Sequence, residues 1–320
     1  SITVIIMLML YLKSYMENIS GKIGQEDILA LLKFAIITFV ILPVFEPGFS
    51  ILLKDIAGEN LALYENYPAL AEMPLVTPRN VWLMVVLISG IGFTGYIAIK
   101  FLGSRKGIGL TGFLGGLVSS TATTITFARR STTEKKLSLS FSLAVLLACS
   151  TMFPRVLVEV AVVNPSLLKH LAVTMGAMAL AGFSVCFVIW KITGREKTDD
   201  VPLANPFNIM PAVKFGFLYA VIILLTRLAG VVAGDSGVYM VSILSGMTDV
   251  DAITLTMSNL SKQDPSKLSQ AAVSVTLAAF SNTIMKGIMA FIIGSGNFRK
   301  GIVAGFALII ASGCAALFFI

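Results

Sequence analysis

Charge is scarce in this sequence. Only 13% of the 320 residues are Asp, Glu, Lys or Arg, where soluble proteins carry about a quarter, and the shortage excludes an ordinary water-soluble globule. Histidine occurs once, at His170. That removes a histidine-rich metal cage, and His170, beside Lys169 at the start of an apolar run, reads as interfacial and not as the base of a Ser/His pair. The three cysteines, Cys149, Cys186 and Cys314, lie in apolar runs with no metal-ligand spacing and read as small core residues. No Gly-x-x-x-x-Gly-Lys-Ser/Thr string is present, so ATP-driven transport by this chain alone is not expected. Nor does a basic leader with a small-residue cleavage site open the chain, which argues against a cleaved signal peptide.

What the sequence has instead is apolar length. Hydrophobic residues make up 56% and the mean hydropathy is +0.90. Runs near the roughly 20 residues that a bilayer-crossing helix needs fall at about 27–45, 80–102, 108–127, 137–163, 166–192, 209–232, 237–258, 267–293 and 298–320. The expected fold class is an all-α polytopic membrane protein in the plasma membrane of a prokaryote, the inner membrane where there are two. The net charge of +7 belongs to short loops between these runs, so the partner is the lipid bilayer and not nucleic acid. Residues 1–16 are apolar but too short to span and read as the clipped end of a preceding helix. Residues 17–76 hold the first helix and an acidic loop with Glu46, Asp55, Glu59, Glu65 and Glu72, which is expected on the non-cytoplasmic side.

The remainder repeats itself. Gly116-Leu-Val-Ser-Ser-Thr-Ala-Thr-Thr-Ile-Thr126 returns 130 residues later as Gly246-Met-Thr-Asp-Val-Asp-Ala-Ile-Thr-Leu-Thr256. Pro78 and Asn80 answer to Pro206 and Asn208, and Ala148, Ser150, Arg155, Lys169 and Gly182 answer to Ala279, Ser281, Lys286, Lys300 and Gly313. Two homologous repeats of about four helical segments each are expected, over 77–195 and 205–320, with the Gly/Ser/Thr-rich segments interrupted and meeting at the centre. Matching interrupted segments in two membrane halves are the usual pointer to a transport site. If every segment crosses, the repeats are parallel, and the basic loop 128–136 shares a side with the acidic loop 46–79. If 108–127 and its twin enter and leave on one side, the repeats are inverted, and the charge rule favours that arrangement.

The halves differ in chemistry. Asp249 and Asp251 stand where the first repeat has Ser119 and Thr121. A carboxylate near the bilayer centre costs roughly 3 kcal/mol on insertion scales and usually faces a cavity or a partner. With Thr248, Thr254, Ser119, Ser120, Thr121 and Thr124 they are the candidate ion or substrate ligands, and Asp249 and Asp251 the candidate metal ligands. The plainer alternative is that the acids cap a half-helix N-terminus and the small residues serve helix packing. Arg155 and Lys286 are the mid-span cations, and with Ser150, Ser281 and Asn282 they are candidates for gating or charge pairing. An intrahelical pair of Arg155 with Glu159 is the plain alternative there.

Leu83-Met-Val-Val-Leu-Ile-Ser-Gly90, Gly115-Gly-Leu-Val-Ser-Ser-Thr-Ala-Thr-Thr124 with Ala128-Arg-Arg130, Asn205-Pro-Phe207 with Lys214-Phe-Gly216, and Gly234-Asp-Ser-Gly-Val-Tyr239 with Ser245-Gly-Met-Thr-Asp-Val-Asp-Ala-Ile-Thr254 together carry a resemblance. They resemble an uncharacterised prokaryotic membrane domain found C-terminal to MgtC/SapB-type membrane domains, over about 27–320. The resemblance implies a missing N-terminal MgtC-like domain as a partner and assigns no residue a role. The leading functional expectation is a secondary transporter or channel-like permease for a small ion, a cation, with no cofactor beyond that bound ion and no enzymatic activity. Alternatives are a proton-coupled carrier of an organic anion or lipid headgroup, and a non-transporting regulatory membrane partner. A second copy of the chain, as a homo-oligomer, is a further candidate partner.

Overall fold

The computed structural model describes residues 25–52, 54–55, 58, 63–70, 74–102, 107–193 and 209–317. The clipped-helix segment 1–16, the linker 194–206 and part of the acidic loop lie outside the described residues. Apart from a two-stranded antiparallel ribbon pairing Ile51 with Val76 and Leu52 with Pro74, the regular structure described is helical. Eight helical stretches among the described residues are long and apolar enough to cross a membrane.

The main helices are α1 Gln25–Ala35, α2 Pro78–Leu102, α3 Ile108–Thr133, α4 Ser138–Ser150, α5 Met152–Val163, α6 Pro165–Thr193, α7 Ile209–Thr248, α8 Val250–Gln263, α9 Leu268–Ile293 and α10 Gly296–Leu317. Helix α4 is the centre of the molecule, with Phe141, Ala144, Val145, Leu146 and Ala148 fully buried. It joins α5 at Thr151, and Pro154 in the next turn supplies no N–H to the helical ladder. Its counterpart in sequence, α9, runs unbroken through the same register.

Three residues interrupt the long helices, each for a local reason. In α3, Ser119 takes an extended conformation (φ −162°, ψ 102°), and its hydroxyl accepts from the Ala122 N–H at 3.2 Å. It is the N-cap of the half-helix 120–133. Asp249 (φ −153°, ψ 132°) separates α7 from α8, and its carboxylate accepts from the Asp251 N–H at 2.7 Å. Within the 40-residue α7, Gly234 has φ +59° and ψ −145°, a conformation that residues with a side chain avoid. The chain turns there, between the apolar runs 209–232 and 237–258.

Neighbouring contacts fix the direction of each limb. In the half 108–118, Gly109 abuts Leu143 and Leu147, Gly112 the backbone of Ala144, and Gly116 that of Ala148, so this limb runs alongside α4 in the same direction. The half 120–133 runs against α4. Thr124 lies beside Cys149, Phe127 packs on Phe141 with ring centroids 5.6 Å apart, and the Ser138 hydroxyl donates to the Ser131 carbonyl at 3.2 Å. The two limbs therefore begin and end at one end of α4, with Ser119 at the far tip. The second broken segment behaves alike: Gly246 sits on Ala278 of α9, and at its start Asp235 accepts from Gln270 at 2.6 Å, one turn beyond the α8–α9 connection at Pro265–Lys267. Two helix–break–helix hairpins result, lying against α4 and α9.

Each hairpin is also gripped by the other half of the chain. The Asn164 amide, just after α5, donates to the Ser261 hydroxyl of α8 at 3.0 Å. At the opposite end of the molecule the Ser295 N–H, just after α9, donates to the Ser131 hydroxyl of α3 at 3.0 Å.

Candidate binding site at the two helix breaks

The tips of both hairpins open onto one cavity of about 160 Å³. Ser119, Ser120 and Thr121 line it from the first hairpin, Thr248, Asp249 and Asp251 from the second, and Arg155, Asn282 and Lys286 from α5 and α9. Nine of the thirteen ligand and pairing residues expected from sequence thus meet in one place. Ile88, Ile91 and Gly92 of α2 close the cavity with Leu117, Val118, Val250 and Met152. These apolar walls carry no sequence signal that separates them from other membrane-embedded residues.

The other four expected residues do not line the cavity. Thr124 donates to the Ser120 carbonyl at 2.7 Å on the buried face of α3. Thr254 is fully buried on α8, one turn past Asp251. Ser150 packs against Gly182 of α6, and Ser281 donates to the Ile243 carbonyl at 2.7 Å. The last two hold helices together; Ser281, with the Asn282 amide on the Gly246 carbonyl at 2.7 Å, pins the C-terminal end of 235–248 to α9.

Charges at the site are arranged unequally. One terminal nitrogen of the Arg155 guanidinium, Nη2, donates to both oxygens of Asp251, each at 2.7 Å. The partners come from different halves of the chain and are largely buried, with side-chain exposures of 15% and 6%. Glu159, one turn along α5 and fully buried, lies 3.5 Å from Arg155 Nε, so the intrahelical pair foreseen from sequence exists beside the inter-half one. Asp249 binds its own helix start, the capping role weighed as the plain alternative. Lys286 differs: its ammonium donates to the Ser120 hydroxyl at 2.6 Å and lies 3.7 Å from the Met152 sulfur. No carboxylate among the described residues is within ion-pairing distance of it.

With Asp251 and Asp249 engaged in this way, no group of three or more His, Cys, Asp and Glu side chains among the described residues is gathered for a metal ion. The site offers instead a mixed surface. Two cations, two hydroxyl-bearing turns and the starts of two half-helices face a small volume, and a half-helix start carries the positive end of the helix dipole.

The site lies wholly within a stretch shared with other proteins. The family described as "Domain of unknown function (DUF4010)" matches residues 86–294, which contain every residue lining the cavity. A protein of Aquifex aeolicus (strain VF5), described as an uncharacterized protein, is 31% identical over 203 residues, covering 63% of this chain and 88% of that protein. No solved structure matches the chain.

Proposed function

The chain belongs to the DUF4010 family, and from the geometry of its site we propose that it is a secondary transporter or channel-like permease for a small ion, bound where the two hairpin tips meet. The observation that carries this is the polar cavity itself. Buried cations, carboxylates and hydroxyls converge at two helix breaks, inside stretches otherwise apolar enough to span a bilayer. Irregular backbone and ionised side chains at membrane depth are tolerated where they line a cavity or face a partner, and they mark ion and substrate paths. A volume of about 160 Å³ is well under the roughly 300–1,000 Å³ of sites for drug-sized ligands, which favours an ion or a solute of few heavy atoms.

Alternating access follows from the arrangement of the halves in this reading. The 3₁₀ turns Lys135–Leu137 and Pro265–Lys267, and the stretches 138–163 and 268–293, stand 130 residues apart, the spacing of the motif pair. The reciprocal grips, Asn164 on Ser261 and Ser295 on Ser131, lie at opposite ends of the molecule, which supports repeats inverted relative to each other. Each repeat then consists of three crossings and one re-entrant hairpin. Charge agrees with that topology: Arg129, Arg130, Lys135, Lys136, Arg299 and Lys300 share the end where the first hairpin opens. Asp235 and Asp264 share the other end with the acidic loop, beside Arg227, Lys262 and Lys267. The positive-inside rule makes the basic end cytoplasmic, and the proposed setting is the plasma membrane of a prokaryote.

Reconstitution tests the proposal. Liposomes containing the purified chain should take up at least one of sodium, magnesium, acetate and phosphate above empty liposomes under an imposed pH or voltage gradient. Asp249→Asn should abolish that uptake while keeping a cooperative thermal transition. Folded protein that moves none of the four, together with full cellular activity when Asp249 and Asp251 are both neutralised, would leave the non-transporting regulatory role standing instead.

A further inference from the structure

The two halves reach across to each other with the same gesture and different chemistry. From α5, Arg155 meets the first turn of α8 and finds a carboxylate there, Asp251. From α9, Lys286 meets the first turn of 120–133 and finds a hydroxyl, Ser120. The residue that stands 130 positions before Asp251 is Thr121, and the one before Asp249 is Ser119. The first hairpin thus has the backbone of its twin without the twin's acids.

Lys286 is consequently a buried ammonium, 3% exposed, whose protein partners are a hydroxyl and a thioether. An ion taken from water into a membrane interior needs a counter-charge or a full set of hydrogen bonds, and an ammonium has three donors. The thioether is a weak acceptor, so at least one donor is left for the cavity that Lys286 lines with Ser119, Ser120 and Thr121. The start of the half-helix 120–133 adds its positive dipole end to the same spot. Lys286 and the start of the half-helix thus present positive charge to this side of the cavity, and the nearest carboxylates, Asp249 and Asp251, line it from the other hairpin without ion-pairing to Lys286. There, Asp251 already supplies its negative charge to Arg155.

We infer that the solute carries its own negative group, a carboxylate or an inorganic oxyanion, and seats it between Lys286 and the Ser119–Thr121 turn, where it takes the part that Asp251 plays for Arg155. This rests on the transport reading of the site and names the substrate class for it. The small cavity limits the anion to few heavy atoms and leaves no room for a phospholipid headgroup with its glycerol. A free small anion is therefore the occupant, and the acids that suggested a bound cation from sequence serve the protein's own charge pairing and capping.

Thermal unfolding of the full chain in lipid nanodiscs tests this with sodium acetate and sodium phosphate, each compared with sodium chloride at equal ionic strength. One of the two oxyanions should raise the wild-type midpoint in a saturable way, and which one does so separates the carboxylate from the inorganic oxyanion. Lys286→Met should lose the rise. Thr121→Asp is the sharper variant, because it hands Lys286 an internal carboxylate: it should fold, melt at or above the anion-free wild type, and no longer respond to the oxyanion. A wild type indifferent to both anions, or a Thr121→Asp protein with the full wild-type response, overturns the inference. Liposome uptake separates it from the transport reading. Stabilisation by an oxyanion without its uptake removes transport and leaves the anion site. Sodium uptake by a wild type that responds to neither oxyanion removes the anion site and leaves transport.

Discussion

Arg155 and Asp251 form the one inter-half ion pair among the described residues in which both groups are largely buried, and its removal from one side strands a charge at membrane depth. Breaking such a pair typically costs about 3–5 kcal/mol, whereas replacing both partners by apolar groups of similar size is often neutral or stabilising. Asp251→Asn should therefore lower the unfolding midpoint, with Glu159 still facing Arg155 at 3.5 Å, and Arg155→Met with Asp251→Leu and Glu159→Gln should recover most of the loss; differential scanning calorimetry of the wild type and both variants checks this. The cap at Ser119 is a smaller effect of the same locality. Ser119→Ala should cost about 1 kcal/mol and Ser119→Gly a few tenths, read from denaturant midpoints. At this scale the charged members were legible because a mid-span Asp, Arg or Lys is rare in any membrane sequence. Their partners were not, since Arg155 and Asp251 are 96 residues apart, and only the fold decides which cation receives the acid. Thr124 and Thr254 read as ligands and Ser150 and Ser281 as gating or pairing residues by composition, but all four stand on helix faces turned toward other helices.

Hairpin formation depends on close backbone approach. A Cβ added at Gly112, Gly116 or Gly246 would fall inside the backbone of Ala144, Ala148 or Ala278, and backbone cannot yield as a flexible side chain does. Each Gly→Ala change there should reduce the folded yield and lower the midpoint by several degrees. Gly176→Ala in α6, where a methyl meets nothing within 4 Å, should be neutral or stabilise by up to about 1 kcal/mol through helix propensity. Parallel expression and thermal-shift measurements on the four variants decide between packing glycines and incidental ones. The glycine, serine and threonine richness of 108–127 announced an interruption, while of the two acids of its twin, read first as ion ligands, Asp249 caps a helix start and Asp251 pairs with Arg155. The folding back of each limb along α4 or α9 was less legible, because a broken helix that crosses and one that returns have the same composition. Only the charge asymmetry of the flanking loops separated them.

For the whole molecule the proposed inverted arrangement makes a labelling prediction. In a protein whose native cysteines are replaced by serine, single cysteines at Glu134 and Asn297 should be blocked by an impermeant thiol reagent only from the cytoplasmic side. Cysteines at Ser166 and Ser266 should be blocked only from the opposite side. Parallel repeats would instead put positions 134 and 266 on one side. The membrane class was legible from hydropathy, since the bilayer imposes that constraint on any sequence; the nine apolar runs became eight spanning stretches because 209–232 and the start of 237–258 join through Gly234 into one helical stretch. The shared cavity was foreseen only as a meeting place, because its walls come from five separated stretches of chain.

One difference between the halves has a mechanical meaning. Thr151 keeps helical dihedrals (φ −67°, ψ −18°), but Pro154 leaves the Ser150 carbonyl without its helical donor, while 268–293 has no proline and keeps every rung. A ladder with one rung missing is a soft joint, and this one adjoins Arg155 at the cavity. Pro154→Ala should restore the rung and slow amide hydrogen exchange around Thr151. Unchanged exchange would mean that packing already holds the joint rigid.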